Sequence, residues 1–287
     1  MHIRPRRSVL YMPGSNPRAL DKAQQLAADC LIFDLEDAVA PEAKSEARDI
    51  ICQAISRNDY GSREIIVRVN GLDTEWGAAD LQAMACSGAD AICLPKVERA
   101  MDVAEALRIM DEAGAPATMT LWVMAETPRG VLQVEEVCAA SDRISVLMMG
   151  TSDLAKDLRV RHTPDRIGFI TSLGLCVLAA RSQGLDIIDG VQLNLNDDPA
   201  YLQSCQQGRD LGFDGKSLIH PGQIAIANQV FGPSEEELLH AEKVIAAWQQ
   251  AESEGKAVVL VDGRLVESLH VEEACRCMAI AEAIAAQ

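Results

Sequence analysis

No apolar run in this 287-residue chain approaches the ~18 residues that a membrane span requires, so no membrane-spanning helix is expected. Basic residues are in deficit, 26 Lys+Arg against 43 Asp+Glu, for a net charge of −17. Counterion release at a phosphate backbone needs a basic surface, so nucleic acid is not an expected partner. The start is basic (Arg4, Arg6, Arg7), but only Val9 to Met12 follow before Pro13-Gly14. That falls short of the ~7–15 apolar residues of a signal-peptide core, and a cytoplasmic protein is expected. There is no C-x-x-C and no His pair at zinc spacing. The nine cysteines, an odd number scattered through apolar segments, read as buried reduced thiols and not as a disulfide framework. No G-x-G-x-x-G follows the first apolar run, and no Ser-His-Asp pattern with a nucleophile elbow is present.

What is there is an ordinary globular balance, 48% hydrophobic and 24% charged, with a repeating pattern laid over it. Short runs rich in Val, Ile and Leu at 8–12, 31–35, 65–69, 91–94, 120–124, 145–149, 187–193 and 217–219 are apolar at nearly every position. Strands buried on both faces read that way, and they belong to parallel sheets covered by helices. Segments of helical periodicity lie between them, for example 20–27 and 103–110. Eight such units predict a (β/α)₈ barrel over residues 1–232, with an open doubly wound sheet as the alternative. From 233 the pattern changes. Ser234 with Glu237 is a capping box opening a helix through Trp248. Runs at 257–261 and 265–268 then flank Asp262-Gly263-Arg264, a hairpin signal, and a helix from about Val271 ends the chain. Residues 233–287 are expected to form a small helix-hairpin-helix appendage with a lid or oligomerisation role.

In such a barrel the chemistry lies at the C-terminal ends of the strands. The residues there are Pro13-Gly14-Ser15, Glu36-Asp37, Arg68 with Asn70, Lys96, Glu126, Thr151 with Asp153, Asn194, and Lys216 with His220. Glu126 and Asp153 follow adjacent strands. Two bare carboxylates repel unless a cation sits between them, and an all-oxygen set suits Mg²⁺ or Mn²⁺. Glu36 and Asp37 stand ready to hold waters around that ion. Alternatively, Asp153 merely starts a helix. Arg68 is placed to bind a substrate carboxylate bidentately; pairing with Glu36 or Asp37 is the alternative, and the two are compatible. The basic first segment, Arg7 included, suggests an anionic ligand such as the phosphates of a nucleotide-tailed thioester, with a solvated terminus as the alternative. His220 reads equally as a ligand contact or as a structural His bonded to backbone.

Seven segments carry a resemblance: 7–14 (RSVLYMPG), 33–39 (FDLEDAV), 68–70 (RVN), 94–96 (LPK), 125–130 (AETPRG), 150–154 (GTSDL) and 215–221 (GKSLIHP). In this order they resemble the citrate lyase beta-subunit-like family of the HpcH/HpaI aldolase superfamily, which includes malyl-CoA and citramalyl-CoA lyases. The resemblance implies a Mg²⁺-dependent barrel that cleaves a 3-hydroxy-acyl-CoA thioester to acetyl-CoA and a 2-oxo acid, with CoA part of the substrate. It implies metal ligands at Glu126 and Asp153, outer-shell acids at Glu36 and Asp37, and a catalytic set of Arg68, Asp37 and Glu267. Arg68, Glu126, Gly150, Thr151, Arg7 and Lys216 are the expected substrate-binding residues. It also implies a homotrimer or a dimer of trimers. Two alternatives share the scaffold: a citrate lyase beta subunit working on an acyl carrier protein thioester, and an acyl-CoA thioesterase. One departure stands out. After the hairpin Asp262-Gly263, the family's catalytic Asp is replaced here by Glu267.

Overall fold

The computed structural model describes residues 4–57 and 59–287. Contacts divide them into two compact units: Arg6–Asn228, and Gln229–Gln287 together with the described residues before Arg6. Among the described residues no helix is long and apolar enough to cross a membrane.

The first unit is a closed, all-parallel barrel of eight strands in sequential order. They are β1 (Ser8–Pro13), β2 (Cys30–Asp34), β3 (Glu64–Arg68), β4 (Ala91–Leu94), β5 (Thr120–Ala125), β6 (Ile144–Met149), β7 (Asp186–Asp189) and β8 (Gly215–Leu218). This is a (β/α)₈ barrel. Side chains alternate across each strand, so one set fills the interior and the other meets the helices. The interior set is Val9, Cys30, Ile32, Ile66, Ala91, Cys93, Trp122, Met124, Val146, Met148 and Ile188, with Tyr11 against it. An arginine closes each end of this plug. Arg6 lies 5.4 Å over the Trp122 ring at the strand N-termini, and Arg68 lies 4.7 Å over Tyr11 at the C-termini.

Six strands match the expected runs to within one residue at each end, and two, β7 and β8, differ by more. The run at 187–193 is strand only to Asp189, because Gly190 leads into a loop whose apolar residues have no sheet partner and leave Leu193 exposed. β8 begins two residues early, at Gly215, which matters below. The cysteines also divide differently: all nine are free, with Cys30, Cys93, Cys138, Cys176 and Cys205 buried but Cys86 and Cys275 exposed.

The second unit holds the helix Glu235–Ser253, capped by Ser234 and Glu237, then the hairpin of β9 (Val259–Val261) and β10 (Arg264–Val266), then the helix Ser268–Ala285. Asp262 and Gly263 both have positive φ (49° and 78°), the backbone of the two-residue hairpin turn that the sequence signals. Its core is Ala241, Val244, Val261, Val266 and Ala274.

Candidate functional site

Alternation carries the interior faces of β2 and β3 up to Asp34 and Arg68, which are register partners. Arg68 gives Nε–H to Asp34 Oδ1 and Nη2–H to Asp34 Oδ2, both at 2.7 Å. The same carboxylate accepts the backbone N–H groups of Glu36 (2.9 Å) and Ala38 (3.0 Å), so one buried Asp fixes both the guanidinium and the loop after β2. Arg68 Nη1 lies 2.9 Å from Glu36 Oε2 and 3.3 Å from Asp37 Oδ2. The edge of Arg68 expected to receive a substrate carboxylate bidentately is therefore taken by Asp34. What faces the mouth is Nη1, with Glu36 and Asp37 around it.

Glu126 continues the interior face of β5 past its end and is only 3% exposed. Its Oε1 accepts the backbone N–H of Lys96 at 2.7 Å, and Lys96 Nζ reaches Glu36 Oε1 at 3.1 Å. Lys96 makes both contacts from a left-handed backbone (φ 53°), a strain that the surrounding contacts must hold in place. Burial, reinforced by the charges of Glu36 and Asp153, pushes Glu126 up to about 7. Burial and the neighbouring Asp37 likewise raise Glu36, against the pull of Arg68 and Lys96. Asp153 stands in the first turn of the helix Thr151–Leu158, after β6. Gly150, just before it, is required for space: a Cβ there would fall on the Glu126 carboxylate.

These residues fit a divalent cation. Glu126 Oε2 has no donor among the described residues, and the buried Glu36 Oε2 has no directed hydrogen bond although Arg68 lies beside it. Acidic oxygens crowded together without enough protons or donors form a hard-cation site. Among the described residues no group of three or more His, Cys, Asp or Glu side chains is arranged to hold a metal ion, so at most two protein carboxylates would ligate it. Glu126 and Asp153 would therefore hold a Mg²⁺ that keeps several waters, which is how that ion prefers to bind.

Lys44, which the sequence reading passed over, supports the rim. Its buried Nζ donates to Leu35 O (2.8 Å), Glu36 O (2.9 Å) and Asn70 Oδ1 (2.7 Å), while Asn70 Nδ2 bonds Leu35 O and Asp80. Lys44→Met removes a bond from three buried acceptors. Leu35 O keeps Asn70 Nδ2 and Glu36 O keeps the Val39 N–H, but Asn70 Oδ1 is left unpaired, and we expect a loss of about 1–3 kcal/mol in stability. A calorimetric melting temperature unchanged from wild type would show that other bonds hold the rim.

Most of the other expected site residues are placed elsewhere. Arg7 precedes β1, at the opposite end of the barrel from the mouth, where Asp29 takes its Nε–H (2.8 Å) and Nη2–H (2.7 Å). Arg6 is held there too, by Glu64 and Asp186. Arg6 and Arg7 are thus ion-paired structure, because residues before β1 open on the strand N-termini. Lys216 is not at a strand end either. It lies inside β8 on the sheet's outer face, 1% exposed, with Nζ 2.7 Å from Asp189 Oδ2. Thr151 is buried beside Gly150. His220 accepts the Gly222 backbone N–H at 3.1 Å and caps the turn Pro221–Gln223, which is its structural reading. Glu267 belongs to the second unit, exposed at the N-terminus of the helix Ser268–Ala285, its N–H bonded to His270 Nδ1 at 3.0 Å.

The chain resembles known proteins along nearly its whole length. Residues 7–221 match the sequence profile described as HpcH/HpaI aldolase/citrate lyase. The chain is 52% identical over 282 residues to a protein of Cereibacter sphaeroides named (3S)-malyl-CoA thioesterase, covering 98% of this chain and 96% of that one. It is 38% identical to the citrate lyase subunit beta of Leuconostoc mesenteroides subsp. cremoris, covering 97% and 94%. Among solved structures it resembles the protein CitE of Mycobacterium tuberculosis in complex with magnesium, acetoacetate and coenzyme A. That match has a TM-score of 0.77 at 28% identity and covers 98% of this chain and 100% of the other.

Proposed function

Because the chain belongs to the HpcH/HpaI aldolase/citrate lyase family, we propose that it hydrolyses the thioester of a 3-hydroxy-carboxyacyl-CoA of the malyl type, using Mg²⁺ held by Glu126 and Asp153. The observation that carries hydrolysis is the near full-length likeness to proteins named (3S)-malyl-CoA thioesterase. The supporting geometry is the crowded, under-protonated carboxylate mouth. A divalent cation bound there supplies Lewis-acid stabilisation of charge on substrate oxygens; Mn²⁺ is expected to substitute.

The chain's own residues then have distinct tasks. Arg68 Nη1 orients the free carboxylate of the substrate by a charge-assisted hydrogen bond. The backbone around Gly150 and Thr151 borders the same end of the site. Water adds to the thioester carbonyl carbon, the C–S bond breaks, and the thiolate leaves with a proton, giving a hydroxy diacid and free CoA. Glu36 and Asp37, around Arg68, are the carboxylates available to take the proton that the attacking water releases.

A second reading, favoured by the citrate lyase beta relatives, is carbon–carbon cleavage. There the C2–C3 bond breaks, the hydroxyl loses its proton to become a carbonyl, and the enolate gains a proton to give acetyl-CoA and a 2-oxo acid. Glu267 is the candidate for that proton transfer to carbon. Glu267→Gln would then lower kcat ~10²–10⁴-fold with little change in KM, whereas hydrolysis delivers no proton to carbon. In a lyase complex the thioester would be carried on an acyl carrier protein. A homotrimer or dimer of trimers is the assembly we propose, to be read by light scattering.

A free-thiol reagent tests the primary reading with the isolated protein, malyl-CoA and Mg²⁺. We expect one thiol released per substrate consumed and no acetyl-CoA. Acetyl-CoA without free thiol would move the assignment to carbon–carbon cleavage.

A further inference from the structure

We propose that the barrel unit carries a second ligand site, for a small carboxylate or phosphate anion, in a cavity on the outer face of β7 and β8. The cavity has a volume of about 270 Å³ and lies among the segments 162–166 and 190–194 and the helix Asp198–Leu211. Asp189 and Lys216 are in register on adjacent strands, one position past Ile188, whose side chain belongs to the barrel interior. Both therefore point outward, away from Arg68 and Glu126.

The charge behind the cavity is unbalanced. Asp189 is fully buried and receives Arg166 through Nη1 (2.8 Å) and Nη2 (2.5 Å), and Lys216 Nζ at 2.7 Å. Two cations share one carboxylate. Arg166 has one further acceptor, Ser204 O at 3.3 Å. Lys216 has no other among the described residues, so its ammonium keeps donor capacity while lining the cavity. Burial and the neighbouring Arg166 lower Lys216 against the pull of Asp189, and an anion reaching the ammonium would offset that cost.

The remaining lining favours an anion as that counter-charge. Thr151, Thr163 and Ser204 bring hydroxyls, and Gln192 and Asn194 bring amides. The 14-residue helix Asp198–Leu211 starts at the cavity, with its positive dipole end there. One lining group opposes: Asp197, whose carboxylate caps that helix by accepting the Ala200 N–H at 3.0 Å. Cys205 and Tyr201, packed near the ion pairs, are held neutral because burial raises both. Arg166 is fixed in a left-handed backbone (φ 53°). The volume falls below that of pockets which take drug-sized ligands, so an inorganic phosphate or a four-carbon diacid fits and a CoA nucleotide does not.

Calorimetry on the full-length protein with the metal chelated tests this, using inorganic phosphate in one arm and succinate in the other. We expect saturable binding of at least one anion, one per chain, retained in Arg68→Lys. It should weaken at least tenfold in Lys216→Met, which removes the excess charge, and in Ala200→Phe, which fills the cavity and leaves the ion pairs intact. Should Lys216→Met not fold, Ala200→Phe carries the test alone. Phosphate binding alone assigns phosphoryl chemistry; succinate binding alone assigns a carboxylate. Undiminished binding in Ala200→Phe, loss of binding in Arg68→Lys, or no saturable binding to wild type would each overturn the proposal. None of these readouts depends on the reaction catalysed at the mouth.

Discussion

Glu126→Gln should abolish Mg²⁺ binding and turnover together, yet raise the melting temperature of the metal-free protein at pH 8. The sign follows from the direction of the shift. Glu126 is held near 7 against an ordinary 4.5, so the folded protein binds a proton that the unfolded chain has released. Stability contributed by that proton is present below pH ~4.5 and is lost as pH rises through about 7. At ~1.36 kcal/mol per pH unit, the charged form costs the metal-free fold about 3 kcal/mol above pH 7. Gln keeps an oxygen to accept the Lys96 N–H and cannot ionise, so this loss disappears. Mg²⁺ should restore wild-type stability at high pH, and its affinity should climb between pH 6 and 8 as it displaces the proton. Asp153→Asn should also weaken Mg²⁺ binding without unfolding the protein. Undiminished Mg²⁺ binding in both variants, measured by titration calorimetry, would show that the metal site lies elsewhere.

Arg68→Lys should lose about 100-fold or more in kcat/KM, equivalent to roughly 3 kcal/mol of transition-state binding. A lysine keeps the charge but cannot clamp Asp34 with two parallel bonds and also offer a third nitrogen to Glu36 and Asp37. Freed from the clamp, the loop that Asp34 ties through the Glu36 and Ala38 N–H groups should loosen as well. The loss should appear in KM for the substrate carboxylate more than in Mg²⁺ affinity, because Arg68 shares no hydrogen bond with Glu126 or Asp153. Activity within a few-fold of wild type would make Arg68 a structural ion-pair partner only.

The barrel was legible because its strands are buried on both faces and therefore apolar at nearly every residue, a pattern that needs no partner to be read. The strand ends were less legible. Val191-Gln192-Leu193 extends the β7 run in sequence, but only a neighbouring strand makes a strand, and past Gly190 there is none. The mouth's acids were readable from position, since Glu36, Glu126 and Asp153 each follow a strand. Asp34 was hidden because it lies inside the apolar run read as 31–35, whereas β2 ends on it. Period-two alternation from Ile32 would have placed it inward beside Arg68. Lys44 had no local signal at all, since its three acceptors come from segments it meets only in the fold. Arg7 and Lys216 misled for a common reason. Type and charge suggested ligands, while their partners Asp29 and Asp189 lie 22 and 27 residues away in sequence.

The central claim is that the carboxylate mouth directs water to a thioester. The most direct measurement is mass spectrometry of the products formed from malyl-CoA and Mg²⁺ in ¹⁸O-labelled water. Hydrolysis places one ¹⁸O in the newly formed carboxylate of the hydroxy diacid and releases unlabelled free CoA in equal amount. That is the expected result, with both products absent in Glu126→Gln. Acetyl-CoA and a 2-oxo acid, with no labelled diacid, would contradict it.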